Sequence, residues 1–183
     1  INVLDDLMTT RVTSHIALKN VAEHIDQEGV LKAAKLAHQT LVKSGVSNPR
    51  IGIAALNPHA GDNGKFGTEE ITTLIPAVEL CQKHQINATG PWPSDTVFLK
   101  AVDKELDAVV TMYHDQGQIA IKLLGFERGV TVAGGLPIPI ATPAHGTAFD
   151  IAGQNKANVG ATRQAFDLLV RMSRSNHYRQ PMA

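Results

Sequence analysis

Short runs rich in valine, isoleucine and alanine alternate along this chain with longer segments of helical period, and that alternation narrows the fold class before any single motif is weighed. Strand, helix and strand in succession is the unit of a parallel sheet. The sequence therefore predicts an α/β fold, with α/β/α layers around a mostly parallel sheet. Strands are expected over 8–13, 50–56, 86–89, 108–112 and 129–133, with a further short run around Ile138. Helices are expected over 16–25, 30–44, 68–84, 96–102 and 118–124, and 161–173 closes the chain as an amphipathic helix. Thr68 ahead of Glu69 and Glu70 suits the positive end of a helix, and Ser94 or Asp95 is placed to cap the next one. Gly45 falls where the second helix should stop.

The 183 residues are enough for one domain with a sizeable apolar core. The chain opens on Ile1 with no evident lead-in strand, which predicts that an N-terminal portion lies outside this sequence. Lys+Arg and Asp+Glu balance at 17 each, which argues against nucleic acid as a partner. No apolar run reaches the length of a membrane span and no charged-then-apolar leader is present, so a soluble cytoplasmic protein without a membrane partner is expected. The single cysteine, Cys81, falls on an expected helix and reads as a buried, unreactive thiol.

Glycine and proline cluster in two long loops, 57–67 and 134–153, at strand ends where α/β proteins place ligands. Three stretches also put a histidine at a strand end: Thr13-Ser14-His15, Asn57-Pro58-His59 and Met112-Tyr113-His114. Neutral imidazole is a common ligand of divalent metals, and three protein ligands leave a coordination position open for substrate. The loop around His59 lacks the spacings of nucleotide-binding glycine loops, and reads either as a ligand loop built on backbone amides or as a connector. In Tyr113-His114-Asp115-Gln116-Gly117, polar groups crowd the end of an apolar strand, which favours a functional reading, while Asp115 alone reads equally as a helix cap. Lys122 follows near the His114 face, either as an anion contact or as a snorkelling surface lysine. His24, His38, His84 and His177 are expected at the surface.

The third motif is His145-Gly146-Thr147-Ala148-Phe149-Asp150-Ile151-Ala152-Gly153, continuing to Asn158. Pro137, Pro139 and Pro143 ahead of it exclude a regular central strand. An imidazole, small residues, exposed amides and then Asp and Asn suit an adenosine group. This loop resembles the adenosine-binding loop of the isocitrate and isopropylmalate dehydrogenase superfamily, whose usual form is His-Gly-Ser-Ala-Pro-Asp-Ile-Ala-Gly-Lys. The Asn-Pro-His-Ala-Gly loop, Gly90-Pro91-Trp92-Pro93-Ser94-Asp95-Thr96 and the Tyr113 to Gly117 motif are together similar to the 4-hydroxythreonine-4-phosphate dehydrogenase family and its paralogues.

The resemblance implies that the chain, 1–183, is the C-terminal portion of a two-subdomain dehydrogenase. It implies a homodimer with a shared site, in which His15 and His59 of one subunit and His114 of its partner hold a divalent metal. Zinc leads, with magnesium, manganese and cobalt left open, because an all-histidine set suits several metals. Lys122 matches a substrate-phosphate lysine, and Lys122 and His114 are the residues expected to carry catalysis. His145, Gly146, Thr147, Ala148, Asp150 and Asn158 would bind NAD or NADP. The implied reaction is metal-assisted oxidation and decarboxylation of a small hydroxy acid, with activity falling in acid as the imidazoles protonate. Two family substrate positions differ, with Thr131 where the biosynthetic enzyme has asparagine and Ile140 where it has arginine, and Ala144 replaces an aspartate. The substrate is therefore either 4-phosphohydroxy-L-threonine, as the first choice, or a threonate or erythronate phosphate or a cis-dihydrodiol carboxylate. Readings of another class are a metal hydrolase, which leaves the His145 loop without a role, and a non-catalytic fragment.

Overall fold

The computed structural model describes residues 1–174, and His177 lies outside them. The strands are β1 (Asn2–Leu4), β2 (Leu7–Arg11), β3 (Ile51–Ala54), β4 (Ala88–Trp92), β5 (Ala108–Thr111), β6 (Val130–Val132) and β7 (Ala141–Pro143). The α-helices are α1 (Gln27–Lys43), α2 (Ile75–Lys83), α3 (Val97–Val102), α4 (His114–Gly125) and α5 (Gly160–Arg174). Ile51 and Ile53 face one side of β3 while Ala54 faces the other, and all three are fully buried. A strand covered on both faces reads as an unbroken apolar run, which is why β3 and β5 stand out in the sequence. Helices α1, α2 and α5 pack on one face with Val110 and Met112, and α3 with Val109 and Ala54 on the other, so the α/β/α layering holds.

The sheet order is β4-β3-β5-β2-β1-β6-β7. Strands β4, β3, β5 and β2 are mutually parallel, and β1, β6 and β7 continue the sheet with antiparallel pairings. Because β6 opposes β1, which opposes β2, five of the seven strands run the same way. Strand β1 is the lead-in strand that the sequence did not disclose, since three residues carry too little pattern to register.

Three further expectations change. The 16–25 segment is not an α-helix but two 3-10 turns, Leu18–Asn20 and Ala22–His24, neither of which buries a residue or has a side-chain cap. Helix α1 begins at Gln27, because the Asp26 carboxylate accepts a hydrogen bond from Gly29 N at 2.7 Å. The run around Ile138 is loop, and the strand forms three residues later at the sheet edge, where Pro143 needs no ladder donor. The predicted stop of α1 is present: Gly45 takes φ +105°, Val46 N bonds Leu41 O and Gly45 N bonds Val42 O. Cys81 is fully buried, and burial pushes its thiol up to about 11. His24 and His84 are exposed, but His38 is half-buried, and its Nδ1 has no hydrogen-bond partner among the described residues. None of the described helices is long and apolar enough to cross a membrane.

Candidate active site

Beyond Arg11 the β2–β5 ladder continues, with Val12 N donating to Thr111 O at 2.9 Å and Thr13 N and Oγ1 to Met112 O at 3.1 and 2.7 Å. This zipper carries His15 to His114, and their ring centres lie 5.7 Å apart. His114 Nδ1 lies 2.6 Å from the Asp115 carboxylate. Asp115 thus orients the imidazole, and a proton on Nδ1 leaves the Nε2 lone pair outward, the arrangement of a metal ligand with a supporting carboxylate. Helix α4 sits close to the sheet because position 117 is glycine: a Cβ there would meet Thr111 Oγ1 at 3.1 Å.

Gln116 ties the strand ends together. Its Oε1 accepts from Met112 N at 2.7 Å, while its Nε2 donates to Ala55 O and Ser94 Oγ, both at 2.9 Å. Ser94 Oγ donates to Ala55 O at 2.6 Å, so this hydroxyl braces β3 and does not cap α3, whose cap position is Thr96.

The Asn57–Gly67 loop is fixed by Glu70, which reads in the sequence as a helix-start acid. Glu70 is only 2% exposed, and its carboxylate accepts from Leu56 N (2.9 Å), Asn57 N (2.7 Å) and Asn57 Nδ2 (2.9 Å). Turned inward, Glu70 begins a π-helical turn (Glu70–Leu74) ahead of α2. His59 and Ala60 are held in the left-handed region at φ 53° and 52°, a conformation that non-glycine residues keep only where the surroundings impose it.

His59 does not join the other two imidazoles. Its ring lies 6.2 Å from that of Phe66, and among the described residues no three of His, Cys, Asp and Glu form a metal-holding group. Within the chain the His15 and His114 rings are the neighbouring pair, and the His59 ring packs near Phe66. Strand β5 separates β3 from β2 in the sheet, and Glu70 anchors the His59 loop toward α2. The pair fits a shared divalent ion: metal–nitrogen bonds of about 2.1 Å at a tetrahedral angle put two imidazole centres roughly 5 Å apart.

His15 and His114 line a cavity of about 270 Å³ that runs between α4 and the antiparallel strands, past Lys122 and Thr131 to Ala144. Four expected site residues therefore meet in one place. The sequence reading missed Arg11, Asn2 and Gln118 in its wall. A charged residue closing a strand just before Thr13-Ser14-His15 is the available signal for Arg11. Ile140, exposed ahead of β7, is not part of this wall. At Ala144 the chain passes into a second cleft, of about 440 Å³, lined by His145, Gly146, Ala148 and Asn158. Thr147 and Asp150 are outside its lining. His145 Nδ1 lies 2.8 Å from Gly146 O, and Asn158 Nδ2 donates to Glu127 at 3.1 Å. Apolar walls with an imidazole, an amide and the Glu127 carboxylate at the rim fit a nucleoside. A larger cavity of about 540 Å³, reaching Asp5, Arg50 and Asp107, contains no expected site residue.

Residues 1–169 match the family of the pyridoxal phosphate biosynthetic protein PdxA. The chain belongs to this family. A Pseudomonas aeruginosa relative, which carries the provisional name 4-hydroxythreonine-4-phosphate dehydrogenase 2, is 62% identical over 175 residues, covering 94% of this chain and 52% of the relative. A D-threonate 4-phosphate dehydrogenase from Pectobacterium atrosepticum is 45% identical over 153 residues, covering 84% of this chain and 47% of that protein. Among solved structures, a 4-hydroxythreonine-4-phosphate dehydrogenase from Klebsiella pneumoniae superposes with a TM-score of 0.83 at 39% identity, over 94% of this chain and 52% of that one. The chain thus spans about half the length of the PdxA relatives it matches.

Proposed function

We propose that the full-length protein is a metal- and nicotinamide-dependent dehydrogenase of a small phosphorylated hydroxy acid, working as a homodimer. The observation that carries this reading is the meeting of His15, His114, Lys122 and Thr131 around one cavity, whose wall residue Ala144 directly precedes His145 of the second cleft. Family membership supports it, and so do the activities named for the two phosphate-acid dehydrogenases. The first substrate choice is 4-phosphohydroxy-L-threonine, giving 3-amino-2-oxopropyl phosphate, and D-threonate 4-phosphate is the second.

His15 and His114 would hold the divalent metal, zinc first, with His59 of a second copy completing the set. NAD or NADP would lie in the His145 cleft. When bound, the metal supplies Lewis acidity at the substrate hydroxyl and the nicotinamide a hydride acceptor. The chain's own groups do the positioning. Asp115 holds the His114 ring on its Nδ1 side. Lys122 offers a cation for the phosphate, and the Thr131 hydroxyl lies across the same cavity to bond a substrate oxygen. Ile121 and Val130 in the wall exclude water around the reacting carbon. The net change removes a hydride and a proton from the carbinol and then releases carbon dioxide.

The test is NADH formation by the full-length protein with each phosphorylated acid in the presence of zinc, magnesium or manganese. Turnover of one of the two acids is expected, with loss of about a hundredfold or more in kcat/KM for His114→Ala. Silence with both acids under every metal would refute the reading.

A further inference from the structure

Arg11 closes β2 on the α4 side of the sheet. Its register partner is Thr111, whose side chain lies under Gly117 of α4, while neighbouring Thr10 points the opposite way and bonds Ala33 O of α1 at 3.1 Å. The guanidinium is half-buried in the cavity wall. Its Nη2 donates to Asn2 Oδ1 at 3.1 Å, and Gln118 Nε2 donates to the same oxygen at 3.2 Å. That single bond leaves the other donors of the planar fork available.

Other arginines near the sheet are neutralised within the chain: Arg50 bonds both oxygens of Asp107, and Arg128 both oxygens of Asp5. Arg11 has no carboxylate partner among the described residues. Burial draws its pKa below the usual arginine value. The cavity also presents Lys122 and two imidazoles, and no Asp or Glu lines it. A half-buried guanidinium without a counter-charge has lost part of its hydration, and a ligand that supplies the anion offsets that loss. A carboxylate matches the fork on both oxygens.

We infer that Arg11 is a specificity-determining contact for the substrate carboxylate, at the far end of the molecule from the phosphate on Lys122. This rests on the dehydrogenase reading above and narrows its substrates to hydroxy acids that are anionic at both ends. Asn2 and Gln118 hold the fork in place.

The test is titration calorimetry on the full-length protein with D-threonate 4-phosphate, D-threonate and inorganic phosphate, and NADH formation is followed in parallel. Arg11→Gln is expected to weaken D-threonate 4-phosphate and D-threonate about thirtyfold each while leaving inorganic phosphate unchanged. Arg11→Lys should recover only part of the loss, because an ammonium lacks the fork. Lys122→Met should show the converse pattern, weakening the two phosphate ligands. The inference is overturned if Arg11→Gln binds D-threonate 4-phosphate within about threefold of the wild type. It is equally overturned if that variant loses inorganic phosphate to the same degree, as general loosening of β1 against β2 would cause, or if the wild type does not bind D-threonate 4-phosphate. Binding without NADH formation would refute the dehydrogenase and leave Arg11 standing. NADH formation with an unchanged KM in Arg11→Gln would do the reverse.

Discussion

The two glycine-rich loops look alike in sequence and are built on opposite principles. The 57–67 loop is anchored from inside by Glu70, whose buried carboxylate gathers three donors from Leu56 and Asn57, and it holds His59 in a left-handed conformation. From 144 to 159 the other loop is exposed at every position but Ile151; Ala144 N to Gly129 O and Asn158 Nδ2 to Glu127 tie its two ends, and between them its bonds are short-range, such as Gln154 Nε2 to Asp150 O. One loop has its shape before any ligand arrives. The other offers a surface that a ligand must complete, which suits a nucleotide that enters and leaves on each turnover.

The largest expected effect that separates them is on stability. Glu70→Ala leaves Leu56 N and Asn57 N without their acceptor, while Asn57 Nδ2 keeps Glu69, and should cost about 3–5 kcal/mol by chemical denaturation. Asp150→Ala in the exposed loop should stay within about 0.5 kcal/mol. Equal effects would erase the contrast.

A finer comparison uses glycines with the same backbone. Gly61 and Gly153 both have positive φ, 79° and 75°, but a Cβ at 61 would meet Glu70 Oε2 at 2.7 Å while one at 153 meets nothing within 4 Å. Gly153→Ala should cost about 1 kcal/mol from backbone strain alone, and Gly61→Ala about 2–3 kcal/mol. Similar losses at both sites would show that the crowding at Glu70 relaxes freely.

The smallest effect is a reference outside both loops. The Arg50 side-chain hydrogen bond holds the Asp107 carboxyl below the usual carboxylate range. Because the folded value is the lower one, the pair's stabilisation is present above the unfolded pKa of about 3.9 and is lost as pH falls through the folded value. Arg50→Met should therefore be less stable than the wild type at neutral pH, and the gap should close in acid. A gap that persisted would mean that Arg50 acts by packing.

Much of this architecture was legible because its causes are local. Ile51 to Ala54 and Ala108 to Thr111 are apolar at every position or nearly so, as strands buried on two faces must be. The motifs around His114 and His145 could be read because polar groups beside apolar strands need a reason. What stayed hidden depends on which way one side chain turns. Glu69 and Glu70 are equivalent as helix-start acids, and only packing sends the second inward. Ser94 caps a helix or braces a strand according to where Ala55 lies. Strand order, which no local pattern encodes, brings the His15 and His114 rings together.

The three-residue strand β1 separates β2, the strand that leads to His15, from β6, and Asn2 pairs with Thr9 on one side and Thr131 on the other. The cavity therefore straddles a joint between two building blocks. A change at 131 or 144 alters the cavity wall without disturbing the strands that align the imidazoles. A lineage can diversify its diet through one block while inheriting its chemistry unchanged in the other.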